Sequence, residues 1–143
     1  MAYLGGSSST VAITEDGFEQ TYQSNHLSHV LLTHTFLNRG RFAYDARIVS
    51  VSSFTYYTSD PLNERNAGCS DILSKYGNKI GTLLSFPDAF QLYARSKASQ
   101  IAWTMALQRR LSQTEGWKGV SVHSCNPGKS SKFPIELYST SEP

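Results

Sequence analysis

Tyr93 and Lys97 stand four positions apart in Tyr93-Ala94-Arg95-Ser96-Lys97, the spacing that puts two side chains on one face of a helix. A free phenol, with a pKa of about 10, is a poor acid or base at neutral pH. A neighbouring ammonium stabilises the phenolate, and about 1.4 kcal/mol of such stabilisation makes the phenol ten times more acidic. The pair therefore has the makings of a general acid and base. On spacing alone the commoner arrangement is a lysine whose stem covers a half-buried ring.

Asn25, the hydroxyl pair Ser52-Ser53 and the turn Asn126-Pro127-Gly128 join that pair in an ordered set. A serine hydroxyl just past a strand can donate to an oxygen on which charge develops. Singly, each has a plainer explanation: Asn25 as a polar residue on a helix face, the serines as strand-ending residues, Pro127-Gly128 as a turn. Asn126 to Ser130 resembles the end of a phosphate loop, but His123 holds the first glycine's position and Pro134 opposes a long following helix. His26, His29, His34 and His123 include a helical i, i+3 pair, with no carboxylate or cysteine to complete a metal site, so packing is their expected role. A Gly-x-Ser-x-Gly elbow for serine hydrolysis is absent.

The elements that must position these residues are legible in outline. Gly and Ser from 5 to 10 form a flexible lead-in ending at Val11-Ala12-Ile13. A helix follows, capped by Thr14, with Glu15, Asp16 and Glu19 at its positive end and Phe18, Tyr22, Leu27, Val30 and Leu31 as an imperfect stripe. It stops at Asn38-Arg39-Gly40. Arg47 to Ser53 predicts a strand, and Phe54 to Pro87 a long irregular excursion. A second helix runs from about Asp88 to Leu111, with Phe90, Ala94, Ala98, Ile101, Met105 and Leu111 inward and Arg95, Gln108 and Arg109 outward. Val120 to Cys125 alternates as a strand, and Lys129 to Pro143 reads as loop or tail. Helix, strand, loop, helix, strand is the rhythm of an α/β protein with a parallel sheet, whose ligands bind beyond the carboxyl ends of the strands.

Composition narrows the functions. A hydrophobic share of 39%, a charged share of 17% and a length of 143 residues suit one ordinary globular domain. A net charge of +2 with scattered Lys and Arg argues against nucleic acid. Cys69 and Cys125 form no CxxC framework, and a reducing compartment fits them. No segment reaches the roughly 18 apolar residues of a transmembrane helix, so the expectation is a cytoplasmic protein.

The ordered set resembles the short-chain dehydrogenase/reductase family over residues 14–128. The resemblance rests on Thr14-Glu15-Asp16-Gly17-Phe18, Asn25-His26-Leu27-Ser28-His29, Arg47 to Ser53, Tyr93 to Lys97 and Asn126-Pro127-Gly128. The Asn-His-Leu sequence and the long serine-to-tyrosine insertion look most like the branch of the retinol dehydrogenases and the WW-domain-containing oxidoreductase. The resemblance implies a partial Rossmann-like, doubly wound parallel sheet, the C-terminal catalytic half of such a fold. It also implies NAD or NADP as cofactor and a small-molecule alcohol or carbonyl as substrate. In its terms Tyr93 exchanges the proton, Lys97 supports the phenolate and holds the nicotinamide ribose, and Ser53 binds the substrate oxygen. Asn25 holds a relay water, and Pro127 and Gly128 line the nicotinamide.

Departures from the family pattern shape the rest of the expectation. No glycine-rich turn precedes Thr14, and Ala2-Tyr3-Leu4-Gly5 stands where Asn-Asn-Ala-Gly is usual. Lys129-Ser130-Ser131-Lys132 follows the Pro-Gly in place of an apolar residue and a threonine. These imply an N-terminally truncated chain divided into lead-in (1–13), catalytic region (14–128) and divergent tail (129–143), with an open inner sheet edge and impaired activity. The alternative is a non-catalytic chain that forms a homo- or hetero-oligomer, docking on a full-length relative through its two long helices.

Overall fold

Glu19, not Thr14, starts the first helix. The computed structural model describes residues 10–128, so the first nine residues and the tail from 129, with the sequence departures in both, lie outside the described residues. The Glu19 carboxylate accepts from the backbone N–H of Thr21 at 2.9 Å and of Tyr22 at 2.7 Å, satisfying two donors that a helix start leaves open. Thr14 to Phe18 forms a turn instead, because Gly17 at φ +83° breaks the helical path and lets the Thr14 N–H reach Phe18 O. Val11 is 1% exposed, and its N–H donates to Thr82 O.

The helical run comprises α1 (Gln20–Tyr22), a π-helical segment (Gln23–Leu27) and α2 (Ser28–Asn38). The widened turn accounts for the five-residue step from Tyr22 to Leu27 in the apolar stripe. Phe18 and Leu31, assigned to that stripe from the sequence, are exposed.

β1 (Arg47–Val51) ends two residues before Ser53 and pairs in parallel with β2 (Ser121–Cys125), with Arg47 opposite Ser121 and Val51 opposite Cys125. These two strands are the whole sheet among the described residues, so the implied doubly wound sheet is present only in part. Ser121 N–H donates to Ala46 O and Ser52 N–H to Cys125 O. Backbone groups alternate sides along a strand, so Arg47, Val49 and Val51 turn theirs to the opposite edge of β1, which pairs with no strand among the described residues.

The excursion from 54 to 87 is more ordered than its composition suggests. It holds a 3₁₀ turn (Phe54–Thr58) and α3 (Ser70–Lys75). Arg95, expected outside, is 4% exposed and ties the excursion down: its guanidinium reaches Asp60 and Asp71, each at 2.7 Å. Sequence periodicity could not reveal this, because the partners lie 24 and 35 positions away.

α4 (Phe86–Gln113) starts at the Ser85 cap, whose hydroxyl accepts from Asp88 N–H, with Pro87 in the first turn, where a missing N–H costs nothing. Its inward stripe differs from the one read off the sequence. Met105 is exposed, while Tyr93, Ser96, Lys97, Gln100, Thr104, Leu107 and Leu111 are buried. One apolar cluster, with Val11, Tyr22, Ile72 and Leu92, packs near its beginning, and another, with Leu37, Leu107, Val120 and Val122, near its end. Between them lies a buried polar seam of Asn25, Ser96, Lys97, Ser99 and Gln100. No helix among the described residues is long and apolar enough to cross a membrane.

Candidate active site

Tyr93 and Lys97 occupy successive turns of α4 within that seam, 7% and 2% exposed. The Lys97 ammonium lies 5.6 Å from the centre of the Tyr93 ring, within the range of a cation–π contact. Its Nζ donates to Val51 O at 3.0 Å and to Gln100 Oε1 at 3.2 Å. Two of its three donors are thus used. Both acceptors are neutral, and no ion pair is formed by Lys97 among the described residues. Burial therefore pushes its pKa below the ordinary 10.5.

Val51 O belongs to that outer edge of β1, so Lys97 takes one bond that a neighbouring strand could make. Gln108 plays the matching part on the far side, where its Oε1 accepts from Val122 N–H at 2.6 Å. Both side chains come from α4, one per outer sheet edge. A cleft of about 390 Å³ runs between the β1 edge, from Ile48 to Val51, and the helices, with Asn25, His29, Lys97 and Gln100 in its wall.

Asn25 joins the seam through the π-helical segment. Its side-chain Nδ2 donates to Ser96 Oγ at 3.1 Å, and its backbone carbonyl accepts from Gln100 Nε2 at 2.7 Å. Gln100 thus spans from the Asn25 carbonyl to the Lys97 ammonium. No sequence motif marks Gln100; its three-residue offset from Lys97 on one helix is the one signal that could have found it.

The two serines divide their work. Ser52 is buried and donates to Lys97 O at 3.0 Å, holding β1 to α4. Ser53 is half-buried, and its hydroxyl accepts only a long 3.4 Å contact from Thr55 N–H at the 3₁₀ start. The parallel register brings Ser53 and Pro127-Gly128 to the same, carboxyl end of the sheet. Pro127 and Gly128 are exposed there, with Gly128 N–H on Asn126 Oδ1 at 3.1 Å and a φ of +70°. Of the residues singled out from the sequence, Asn25 and Lys97 share the cleft wall, Tyr93 adjoins Lys97, and Ser53, Pro127 and Gly128 lie at the strand ends.

Two histidines belong to the surroundings of Lys97, His29 in the cleft wall and His26 behind it. His26 is buried against the Tyr22 and Trp103 rings, and burial, with the nearby His29, lowers its pKa to about 4. Partial burial and the positive charge of Lys97 push His29 the same way.

The chain as a whole is similar in sequence to characterised proteins. No family model and no solved structure matches the chain. It is 32% identical over 116 residues to the WW domain-containing oxidoreductase of Danio rerio, a match covering 81% of this chain and 26% of that protein. It is 34% identical over 115 residues to human retinol dehydrogenase 11, covering 80% of this chain and 30% of that one. With human retinol dehydrogenase 14 the identity is 36% over 119 residues, 80% of this chain and 29% of the relative. The chain thus spans less than a third of the length of these relatives. With four-fifths of its length matched to such relatives, the chain belongs to the short-chain dehydrogenase/reductase family, on its retinol dehydrogenase and WW domain-containing oxidoreductase side.

Proposed function

We propose that residues 14–128 carry the proton-transfer part of an NAD(P)-dependent oxidoreductase site acting on a small alcohol or carbonyl compound. The observation that carries the reading is the buried Tyr93–Lys97 pair on α4, with the ammonium held by neutral acceptors only. Tyr93 takes the hydroxyl proton at its phenolic oxygen during oxidation and returns it during reduction. Lys97, paired with no carboxylate among the described residues, supports the phenolate. Ser53, whose hydroxyl is only loosely engaged, donates to the substrate oxygen.

NAD or NADP, when bound, supplies the hydride acceptor or donor. The residues present fit one end of such a cofactor: Lys97 keeps a third N–H for a ribose hydroxyl, and Pro127 and Gly128 offer an exposed turn for the nicotinamide. The described residues include no glycine-rich turn to cradle the pyrophosphate.

Titration of the purified chain with NADH and NADPH, followed by nicotinamide fluorescence, tests the reading. Saturable binding that is lost in Lys97→Met supports it; no binding of either nucleotide by a cooperatively melting chain sinks it for this protein. A second reading, a non-catalytic chain docking on a longer relative through α2 and α4, is favoured by Leu31, Leu32 and Met105, exposed at 70%, 53% and 64%. Native mass analysis with such a relative would reveal a mixed species, and its absence at micromolar concentration counts against docking.

A further inference from the structure

Gln100 is 2% exposed and uses both ends of its amide. Its Nε2 donates to the Asn25 carbonyl at 2.7 Å, and its Oε1 accepts from Lys97 Nζ at 3.2 Å. An amide cannot exchange these roles, because the carbonyl at Asn25 accepts and the ammonium only donates. The amide orientation is therefore fixed from both sides, and its oxygen must face the lysine. The second anchor of the ammonium, Val51 O, sits on the sheet and is independent of the helices.

We propose that Gln100 is a positioning residue, which sets the place and the proton affinity of the Lys97 ammonium by bridging it to the Asn25 backbone carbonyl. The assignment deepens the oxidoreductase reading, on which its relevance to catalysis rests. It gives Asn25 a part in the site through its main chain, with Gln100 as the connecting group. It also accounts for a buried lysine with no counter-ion among the described residues: two neutral acceptors, from β1 and from α4, take the place of a carboxylate. A residue that only filled space here would need neither amide atom.

The groups that face Lys97 make its titration readable. Tyr93 lies on its own helix, and His29 on α2 faces it across the cleft. From the π-helical segment come Asn25, which is neutral, and His26, uncharged above about pH 4. The adjoining part of β1, Ile48 to Val51, carries no charge.

The test uses the full chain with ¹³Cε-labelled lysine, titrated by NMR, with Lys97→Met to assign the signal. Gln100→Glu keeps the volume and places a carboxylate on the ammonium, so the Lys97 midpoint rises by about one pH unit. Gln100→Leu removes the acceptor, and the midpoint falls by a similar amount. Gln100→Asn is too short to span both groups and behaves as the Leu variant, which separates bridging from mere polarity. Unmoved Lys97 midpoints in the Glu and Leu variants, with cooperative melts intact, would overturn the proposal. If Leu fails to fold, Glu alone decides; if Glu also fails to melt cooperatively, Gln100 acts through packing and the proposal falls. None of these readings needs nucleotide, so a chain that binds neither NADH nor NADPH defeats the oxidoreductase reading while leaving the Gln100 assignment to stand or fall by itself.

Discussion

Two cations two positions apart on α4 are buried almost equally, Arg95 at 4% and Lys97 at 2% exposure, and are satisfied in opposite ways. Arg95 meets the carboxylates of Asp60 and Asp71 and fastens a loop that composition alone marks as irregular. Lys97 meets a backbone carbonyl and an amide, neither of which neutralises it. The contrast extends to the surroundings. On the Arg95 side, Asp88 sits among Lys75, Tyr76 and Ser85; burial works to raise its pKa, but their hydrogen bonds outweigh it and hold the carboxyl at about 2. On the Lys97 side, His26, His29 and Lys97 are all shifted toward their uncharged forms. A paired cation serves the fold; an unpaired one keeps a field that a phenolate can use.

Acid should break the contrast first, through His26. Its imidazole takes a proton below about 6.5 in the unfolded chain and only below about 4 in the folded one, so between these values the unfolded state binds more protons. Stability should therefore fall as pH drops from 6.5 to 4, by up to about 3 kcal/mol. Urea melts at pH 7 and pH 4.5 measure this, and His26→Phe should flatten that limb; an unchanged slope would remove His26 as its source.

Arg95→Met comes next, at about 2 kcal/mol. The loss is moderated because Asp60 and Asp71, 55% and 42% exposed in their side chains, can be solvated once freed. Hydrogen exchange should rise across residues 60–73. Protection unchanged there would mean that the arginine does not hold the loop.

Lys97→Met should cost least, about 1 kcal/mol or less at neutral pH, because orphaning Val51 O and Gln100 Oε1 is offset by removing a desolvated charge. Since the folded lysine holds its proton more weakly than the unfolded one, the wild-type chain should gain stability as pH rises through its folded pKa toward 10.5, and the variant should not. A Lys97→Met cost equal to that of Arg95→Met would erase the comparison.

The contrast also shows what a sequence can reveal. The four-residue offset of Tyr93 and Lys97, the β-branched run before Ser52 and the alternation after Val120 are local patterns, and each reports local backbone geometry. The shared sheet end of Ser53 and Gly128 follows from the parallel rhythm, whereas the register that sets Arg47 opposite Ser121 does not. What stays hidden depends on distant partners. Arg95 resembles a surface residue until Asp60 and Asp71 are brought to it, and Gln100 gains its function only from Asn25 and Lys97. Thr14 and Glu19 are rival caps, decided by the left-handed Gly17 between them. The buried stripe of α4 is hard to read because its middle is polar, and a search for apolar residues slides past Ser96, Lys97 and Gln100 to the exposed Met105.

The bonds from Lys97 to Val51 and from Val122 to Gln108 bear on the order in which the chain assembles. β1 and β2 lie far apart in sequence, and closing so long a loop before any contact rewards it is slow. α4 lies between them, its 28 residues can form on local interactions, and it presents a hydrogen-bonding side chain to each strand separately. Either strand can dock on the helix before the other arrives. The helix thus offers each strand a bond that does not depend on the presence of the other.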